Sequence, residues 1–148
     1  ERNISLLLPR DLIIADDFSN DANIRVIAAK DGIPEGYQGM SVGPDFITDC
    51  REFLQDAKTI MWNGPVGVFE FTSFAEGTFE IAEILAGSKA TTIVGGGDSV
   101  SAIKKSGLSE KFSHISTGGG ASLEYIQYGS LPGIDALSEK KLDAAVSE

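Results

Sequence analysis

The amino-acid sequence predicts an α/β fold in which helices cover both faces of a parallel sheet. The second half of the chain alternates short apolar segments with longer segments whose apolar residues recur at helical spacing. Three of the apolar segments run into glycine-rich loops, which begin at Asn63, Gly95 and Gly118. Short strands separated by helices form parallel sheets that are buried on both faces. A chain of 148 residues is long enough for one such domain with one core.

The first half of the chain is predicted to contain short strands and a loop. Apolar runs indicate strands at residues 4–8, 12–15 and 25–28, and Pro9 ends the first of them. Residues 32–43 contain four glycines and one proline, a composition that favours turns. We therefore expect a structured loop over 32–43 rather than a flexible linker.

The second half is predicted to alternate helices with strands. Pro44 is expected to be the first residue of a helix, a position where proline is favoured. Gly87, Gly107 and Gly129 are expected to end the later helices. In chain order, the predicted elements are a helix at 44–57, a strand at 59–62, a helix at 74–86, a strand at 91–94, a helix at 99–105, a strand at 114–116, a helix at 121–128 and a turn at 132–137. The charged tail from Ser138 is expected to fray.

Composition restricts the classes of function. The net charge of −10, from 22 acidic and 12 basic residues, argues against a nucleic-acid surface. No apolar run approaches the roughly 20 residues of a membrane helix, and we expect no signal peptide. The lone Cys50 excludes an internal disulfide and suits a reducing, cytoplasmic setting. Because the chain does not begin with Met, we expect a piece of a longer protein.

The three glycine-rich loops predict a phosphorylated ligand. In an open α/β sheet, ligands bind outside the carboxyl ends of the strands. Helix N-termini at that edge favour phosphate groups. The negative charge of the chain opposes such a ligand, so local amides, a metal or groups outside this chain must compensate.

Two of the loops allow either a ligand or a purely structural role. In the Gly-Gly-Gly-Asp-Ser loop at 95–99, Asp98 is able to hold Mg²⁺ or to cap the following helix. Ser99 offers a hydroxyl and a backbone N–H at the start of that helix. The Gly-Gly-Gly loop at 118–120 has no acidic residue at its helix start, so an uncharged nest of amides there suits an anion. Each loop is equally compatible with a tight turn between strand and helix.

The loop at 63–70 is more specific, with the sequence Asn-Gly-Pro-Val-Gly-Val-Phe-Glu. Glu70 is able to accept two hydroxyl hydrogen bonds, as a ribose would offer, or to be a surface carboxylate. Asn63 is able to donate to a phosphate oxygen or to tie the loop. The only histidine, His114, is expected to be a hydrogen-bonded core residue rather than a catalyst. Cys50 is expected to be inert.

Together these motifs resemble phosphoglycerate kinase. The matching segments are Met-Trp-Asn-Gly-Pro-Val-Gly-Val-Phe-Glu at 61–70, Gly-Gly-Gly-Asp-Ser at 95–99 and His-Ile-Ser-Thr-Gly-Gly-Gly-Ala-Ser-Leu-Glu at 114–124, with shorter matches at 8–11 and 131–134. They occur in order over nearly the whole chain. The chain departs from the family pattern at Asp17, Ser41 and Tyr128.

The resemblance implies a kinase that transfers a phosphoryl group between 1,3-bisphosphoglycerate and ADP, giving 3-phosphoglycerate and ATP, with Mg²⁺. Residues 1–148 would be part of its C-terminal nucleotide-binding domain, a partial Rossmann-like three-layer domain, and the basic N-terminal substrate domain would be absent. The resemblance further implies a cytoplasmic, glycolytic enzyme. We expect no nucleic-acid or membrane partner and a monomeric full-length protein.

The resemblance also implies roles for individual residues. Gly39 would line the adenine pocket, and Glu70 would bind the ribose hydroxyls. Asp98 would hold the magnesium–nucleotide. The remaining nucleotide-binding positions would be Asn63, Gly64, Val66, Gly96, Gly97 and Ser99, and the positions facing the transferred group would be Gly118, Gly119 and Gly120.

Two alternatives remain at the sequence level. One is a non-catalytic nucleotide-binding module that uses the same loops. The other is a dinucleotide-dependent oxidoreductase, which is disfavoured because no strand leads into Gly-x-Gly-x-x-Gly with an acidic residue about 20 positions later.

Overall fold

The structure, a computed structural model, describes residues 4–137 and contains two three-stranded sheets. One sheet is parallel, with helices around it, so the predicted α/β class is confirmed. The other sheet is antiparallel and precedes the parallel one in the chain. The predicted fraying of the tail from Ser138 falls outside the described residues.

The antiparallel sheet is built from β1 (Asp11–Ala15), β2 (Ile24–Ala28) and β3 (Gln38–Val42), in the order β2-β1-β3. Strands β1 and β2 confirm two predicted strands. Strand β3 lies within the segment predicted to be a loop, so that prediction was wrong in part. The residues before β3 favour turns, so the sequence shows no sign of this short strand. Its last three residues are buried, and it pairs with β1.

The predicted strand at residues 4–8 is absent from the structure. Its apolar side chains Ile4, Leu6 and Leu8 are 66–78% exposed. An apolar run forms a strand only where its backbone N–H and C=O groups find partners. No described strand pairs with this segment.

The parallel sheet is built from β4 (Thr59–Asn63), β5 (Thr91–Gly95) and β6 (His114–Ser116), in sequential order. Each strand agrees with its prediction to within one residue. In the register, Asn63 lies opposite Gly95, and Gly95 lies opposite Ser116. The three glycine-rich loops therefore leave the sheet at the same edge.

The described chain contains five α-helices: α1 (Pro44–Leu54), α2 (Glu76–Ala86), α3 (Gly97–Ser106), α4 (Gly119–Tyr128) and α5 (Pro132–Asp135). Helix α1 ends three residues before its prediction, and α2 begins two residues late. Helices α3 and α4 each begin two residues early, so Gly97 and Gly119 are helical. Gly87, Gly107 and Gly129 end their helices as predicted, and the last two adopt φ values of +74° that favour glycine.

Helices lie on both faces of the parallel sheet. One face packs against α1, α2 and α3, and its main core consists of Val42, Ile47, Cys50, Ile60, Trp62, Ile81, Ala82, Leu85, Val94, Val100, Ile103 and Phe112. On the other face, Ser122 of α4 approaches Gly95, beside Met61. Because α4 has no buried residue, this second layer is thin.

A carboxylate on β1 caps helix α1 from a distance. Asp11 is 6% exposed, and its two oxygens accept hydrogen bonds from the backbone N–H groups of Asp45 and Phe46, each at 2.9 Å. Gly43 precedes the helix, and a Cβ there would overlap the Asp11 carboxylate. The antiparallel sheet and the helical layer are thus joined through one buried side chain.

We expect Asp11→Ala to lower the free energy of unfolding by about 1–2 kcal/mol, because two N–H groups of the first helical turn lose their acceptor. Urea unfolding of the chain measures the change. Asp21→Ala, at an exposed aspartate of the loop between β1 and β2, is the matched control and should change stability by less than about 0.5 kcal/mol. Equal stability of the Asp11 variant and the wild type would contradict the capping role.

Candidate functional site

A cavity of about 660 Å³ lies between the antiparallel sheet, the loop after β4 and the start of α3, and it brings together residues far apart in sequence. Gly39 of β3, Val66 and Glu70 of the loop after β4, and Asp98 of α3 all line it. Much of the remaining lining is apolar, including Phe18 and Met40. The cavity combines an apolar wall with two carboxylates at separate positions.

The wall of the cavity forms because the loop after β4 pairs with β3. The Val42 N–H donates to the Val66 carbonyl at 3.3 Å, and the Val68 N–H donates to the Met40 carbonyl at 2.8 Å. Ser41 and Gly67 form a bridge between these two bonds. Sequence reasoning missed this pairing, since β3 looked like a turn, and with it missed Met40 as a lining residue.

Close packing at the bridge requires glycine at position 67. A Cβ on Gly67 would lie 2.3 Å from the Ser41 hydroxyl oxygen. Ser41 is 6% exposed, and its hydroxyl has no hydrogen-bond partner among the described residues. The departure from the family pattern at Ser41 therefore falls in the wall of the cavity.

The three glycine-rich loops meet around the side chain of Asn63. A Cβ on Gly96 would lie 2.8 Å from Asn63 Oδ1, and a Cβ on Gly119 would lie 3.1 Å from the same atom. A Cβ on Gly119 would also lie 2.8 Å from the Gly96 Cα. Only glycines allow the loops to approach this closely, which explains their position at the strand ends.

Ser99 and Trp62 fix the start of the loop at 63–70. Ser99 is fully buried, and its hydroxyl accepts a hydrogen bond from the Gly64 N–H at 2.6 Å. Trp62 donates its indole N–H to the Gly64 carbonyl at 2.7 Å. The Ser99 hydroxyl thus links the loop at 95–99 to the loop at 63–70. The Ser99 backbone N–H belongs to the first turn of α3.

Asp98 is the second residue of α3 and is exposed. The helix begins after Gly96 without a side-chain capping bond, so the capping role weighed for Asp98 is not what the structure shows. The first N–H groups of a helix have no partner within it, and Gly97, Asp98 and Ser99 contribute three of them. The carboxylate therefore stands beside a set of donors suited to an anion.

Glu70 ends the loop and is exposed, with Oε2 accepting a hydrogen bond from the Phe69 N–H at 3.1 Å. This bond uses one oxygen of the carboxylate. Gly118 precedes α4, and Gly119 and Gly120 lie in its first turn. Gly119 packs against Gly96 and Asn63, and none of the three glycines at 118–120 lines the cavity. The structure thus separates two regions, the cavity and the glycine cluster, which adjoin at the start of α3.

The structure also tests the predictions made for His114 and Cys50. His114 is exposed on the edge strand β6, so the prediction of a core histidine was wrong; a short edge strand leaves its side chain uncovered. Cys50 is buried in α1, and burial raises the pKa of its thiol, with a smaller contribution from Asp49. A thiol that ionises less readily agrees with the inert role predicted.

A second cavity, of about 570 Å³, lies at the opposite edge of the sheet. It is bordered by the C-terminal ends of α1 and α2 and by mixed charges such as Arg51, Lys58 and Glu83. No glycine-rich loop reaches it. The predicted site residues favour the cavity that contains Glu70 and Asp98.

Within residues 4–137, no group of three or more His, Cys, Asp or Glu side chains has the arrangement of a metal centre. Asp98 supplies one carboxylate. Mg²⁺ is commonly bound through one or two carboxylates together with substrate phosphates, so this donor set fits a metal carried by a nucleotide. Across the same residues, no helix has the length and apolar character needed to cross a membrane.

The fold and the site define a class: an α/β domain whose glycine-rich loops gather at the carboxyl ends of three parallel strands. A sequence profile described as phosphoglycerate kinase matches residues 1–128. The chain belongs to the phosphoglycerate kinase family, which confirms the resemblance drawn from the motifs.

Individual relatives agree. The chain is 52% identical over 143 residues to phosphoglycerate kinase of Leuconostoc mesenteroides, covering 95% of this chain and 35% of that protein. It is 54% identical over 141 residues to the cytosolic phosphoglycerate kinase 3 of Arabidopsis thaliana, covering 93% and 35%. The solved phosphoglycerate kinase of Coxiella burnetii superposes with a TM-score of 0.81 at 41% identity, covering 90% and 34%. The chain thus spans about a third of the length of the relatives it matches.

Proposed function

We propose that residues 1–148 are part of the C-terminal nucleotide-binding domain of a phosphoglycerate kinase and that they bind ATP or ADP with Mg²⁺. The complete enzyme would transfer a phosphoryl group between 1,3-bisphosphoglycerate and ADP. The sugar-acid substrate would be bound by an N-terminal domain outside these residues. Family membership and the short span relative to the relatives support this division.

One observation carries the proposal. Glu70 and Asp98, which come from different glycine-rich loops, line a single cavity together with Gly39. A nucleotide is a long ligand with an apolar base, a diol and a charged phosphate chain. The apolar wall of the cavity matches the base, and the Glu70 carboxylate matches the diol. The start of α3, with Asp98, matches the phosphate chain and its metal.

The apolar wall of the cavity would bind the base, with the sugar beside it. Gly39 has no side chain to occupy the space, and Val66 supplies apolar contact beside it. The free carboxylate oxygen of Glu70 would accept hydrogen bonds from the ribose hydroxyls. Gly64, held by Ser99 and Trp62, keeps this wall in place.

The start of α3 would take the phosphates. Its first-turn N–H groups, from Gly97 to Ser99, point along a helix dipole that favours negative charge. Gly96 and Asn63 lie beside this terminus, and Gly118 to Gly120 would face the group in transit. When bound, Mg²⁺ would neutralise phosphate charge, and Asp98 would hold it in place.

The cellular setting follows from the same assignment. We propose a cytoplasmic enzyme, supported by the cytosolic names of the Arabidopsis and tobacco relatives. The net charge of −10 supports a small-molecule rather than a nucleic-acid partner. The monomeric state expected for the full-length protein stays a prediction.

We expect Glu70→Gln to weaken ADP binding by about tenfold or more, since a hydrogen bond to a charged group is worth about 1.5–3 kcal/mol. The contact with ribose would act alike in the ground state and the transition state, so KM should rise while kcat changes little. Isothermal titration with ADP and steady-state kinetics of the complete kinase measure the two effects.

Glu52→Gln is the matched control, because Glu52 is exposed on α1 and lies outside the cavity. Thermal melts of both variants establish that the fold is intact. ADP affinity within about twofold of wild type for a folded Glu70→Gln protein would show a surface carboxylate, and the ribose assignment would be wrong.

A further inference from the structure

Lys105, in the last turn of α3, contacts the loop that carries Glu70. Its ammonium donates hydrogen bonds to the carbonyl oxygens of Phe69, at 3.2 Å, and of Glu70, at 3.4 Å. The same ammonium lies 5.6 Å from the centre of the Phe69 ring. These contacts hold the peptide groups on both sides of Glu70.

Helix α3 therefore holds the 64–70 segment at both ends. At the first end, the Ser99 hydroxyl accepts the Gly64 N–H at 2.6 Å. At the other end stands Lys105. Between them, Ala102 belongs to a buried cluster with Phe69. The helix that presents Asp98 also sets the position of the loop that presents Glu70.

The Lys105 ammonium donates to carbonyl groups of the loop rather than to those of its own helix. Basic residues in a last turn generally interact with the helix dipole. Lys104 occupies that turn as well, and both lysines are exposed. Of these two lysines, Lys105 is the one that donates to loop carbonyls, and it does not line the cavity. It is therefore placed to act through Glu70 and not on the ligand.

We propose that Lys105 is a positioning residue for nucleotide binding, which fixes the Glu70 backbone so that the carboxylate meets the ribose hydroxyls. This inference rests on the proposed contact between Glu70 and ribose. Without the ammonium, the end of the loop loses two hydrogen bonds, and Glu70 must be ordered when the nucleotide binds. That ordering costs free energy and weakens affinity.

The test uses the complete kinase that carries these residues, with ADP and 2′,3′-dideoxy-ADP as probes. Lys105→Met keeps the apolar stem and removes the charge, Lys105→Arg keeps the charge, and Lys104→Met is the matched control. We expect Lys105→Met to weaken ADP binding by about threefold to tenfold. Lys105→Arg should recover most of the affinity, and Lys104→Met should stay within about twofold of wild type.

Selectivity for the ribose hydroxyls separates positioning from a general structural effect. Lys105→Met should leave dideoxy-ADP affinity within about twofold of wild type, and adding it to Glu70→Gln should cause little further loss of ADP affinity. KM for ADP should rise without a matching fall in kcat. An equal loss for both nucleotides, or full additivity with Glu70→Gln, would overturn the positioning role.

The two proposals fail in different ways. If Glu70→Gln weakens ADP binding but Lys105→Met does not, only the role of Lys105 is wrong. If Glu70→Gln itself leaves ADP affinity unchanged, the ribose assignment is wrong, and the positioning role is overturned with it.

Discussion

Purified alone, these 148 residues are expected to show no phosphoglycerate kinase activity. None of the described residues lining the cavity with Glu70 and Asp98 is a lysine or arginine, so a sugar acid with phosphate groups would find no cationic partner there. In addition, the net charge of −10 would repel an anionic substrate. Correct positioning of two reactants contributes about 7–11 kcal/mol to lowering a barrier, and half a site does not provide it.

A coupled assay for ATP formation measures the effect, with the complete kinase as the positive control. Circular dichroism and ADP titration of the same sample show whether the chain is folded and binds nucleotide. Turnover well above the blank would contradict the proposed division of the site between two domains.

Replacing Asp98 by Ala in the complete kinase is expected to lower kcat by about a hundredfold, the scale of removing one group that stabilises charge at the reacting centre. Asp98 lies in the first turn of α3, exposed at the cavity, and makes no capping bond there. Loss of its carboxylate would leave the metal–nucleotide poorly held while the helix start keeps its other contacts. The melting temperature should therefore change little.

A capping role predicts the opposite pattern, a loss of about 1 kcal/mol of stability with little effect on rate. Thermal melts and steady-state rates on the same samples distinguish the two. Asp56→Ala is the matched control, because Asp56 is an exposed aspartate at the opposite edge of the sheet. A normal kcat for the Asp98→Ala enzyme would show that Asp98 has no role in the reaction.

Local sequence signals determined the parallel half of this protein. The strands ending at Asn63, Gly95 and Ser116 were predicted to within one residue because each is a short apolar run bounded by turn residues. The family was also readable from the sequence, because its three motifs are contiguous stretches of chain. The roles assigned to Glu70 and Asp98 remain predictions drawn from that likeness.

Only the tertiary structure decided how the antiparallel half contributes to the site. Strand β3 is short and follows a turn-rich segment, and it exists because β1 and the loop after β4 supply its hydrogen-bond partners. The same dependence explains why residues 4–8 form no strand although they are more apolar than β3. The burial of Ser99 and the contact of Lys105 with the loop carry no local signal either, since both depend on where distant segments of the chain are packed. Periodicity reports which residues prefer a buried face, whereas hydrogen-bond partners far along the chain are set only when the core is assembled.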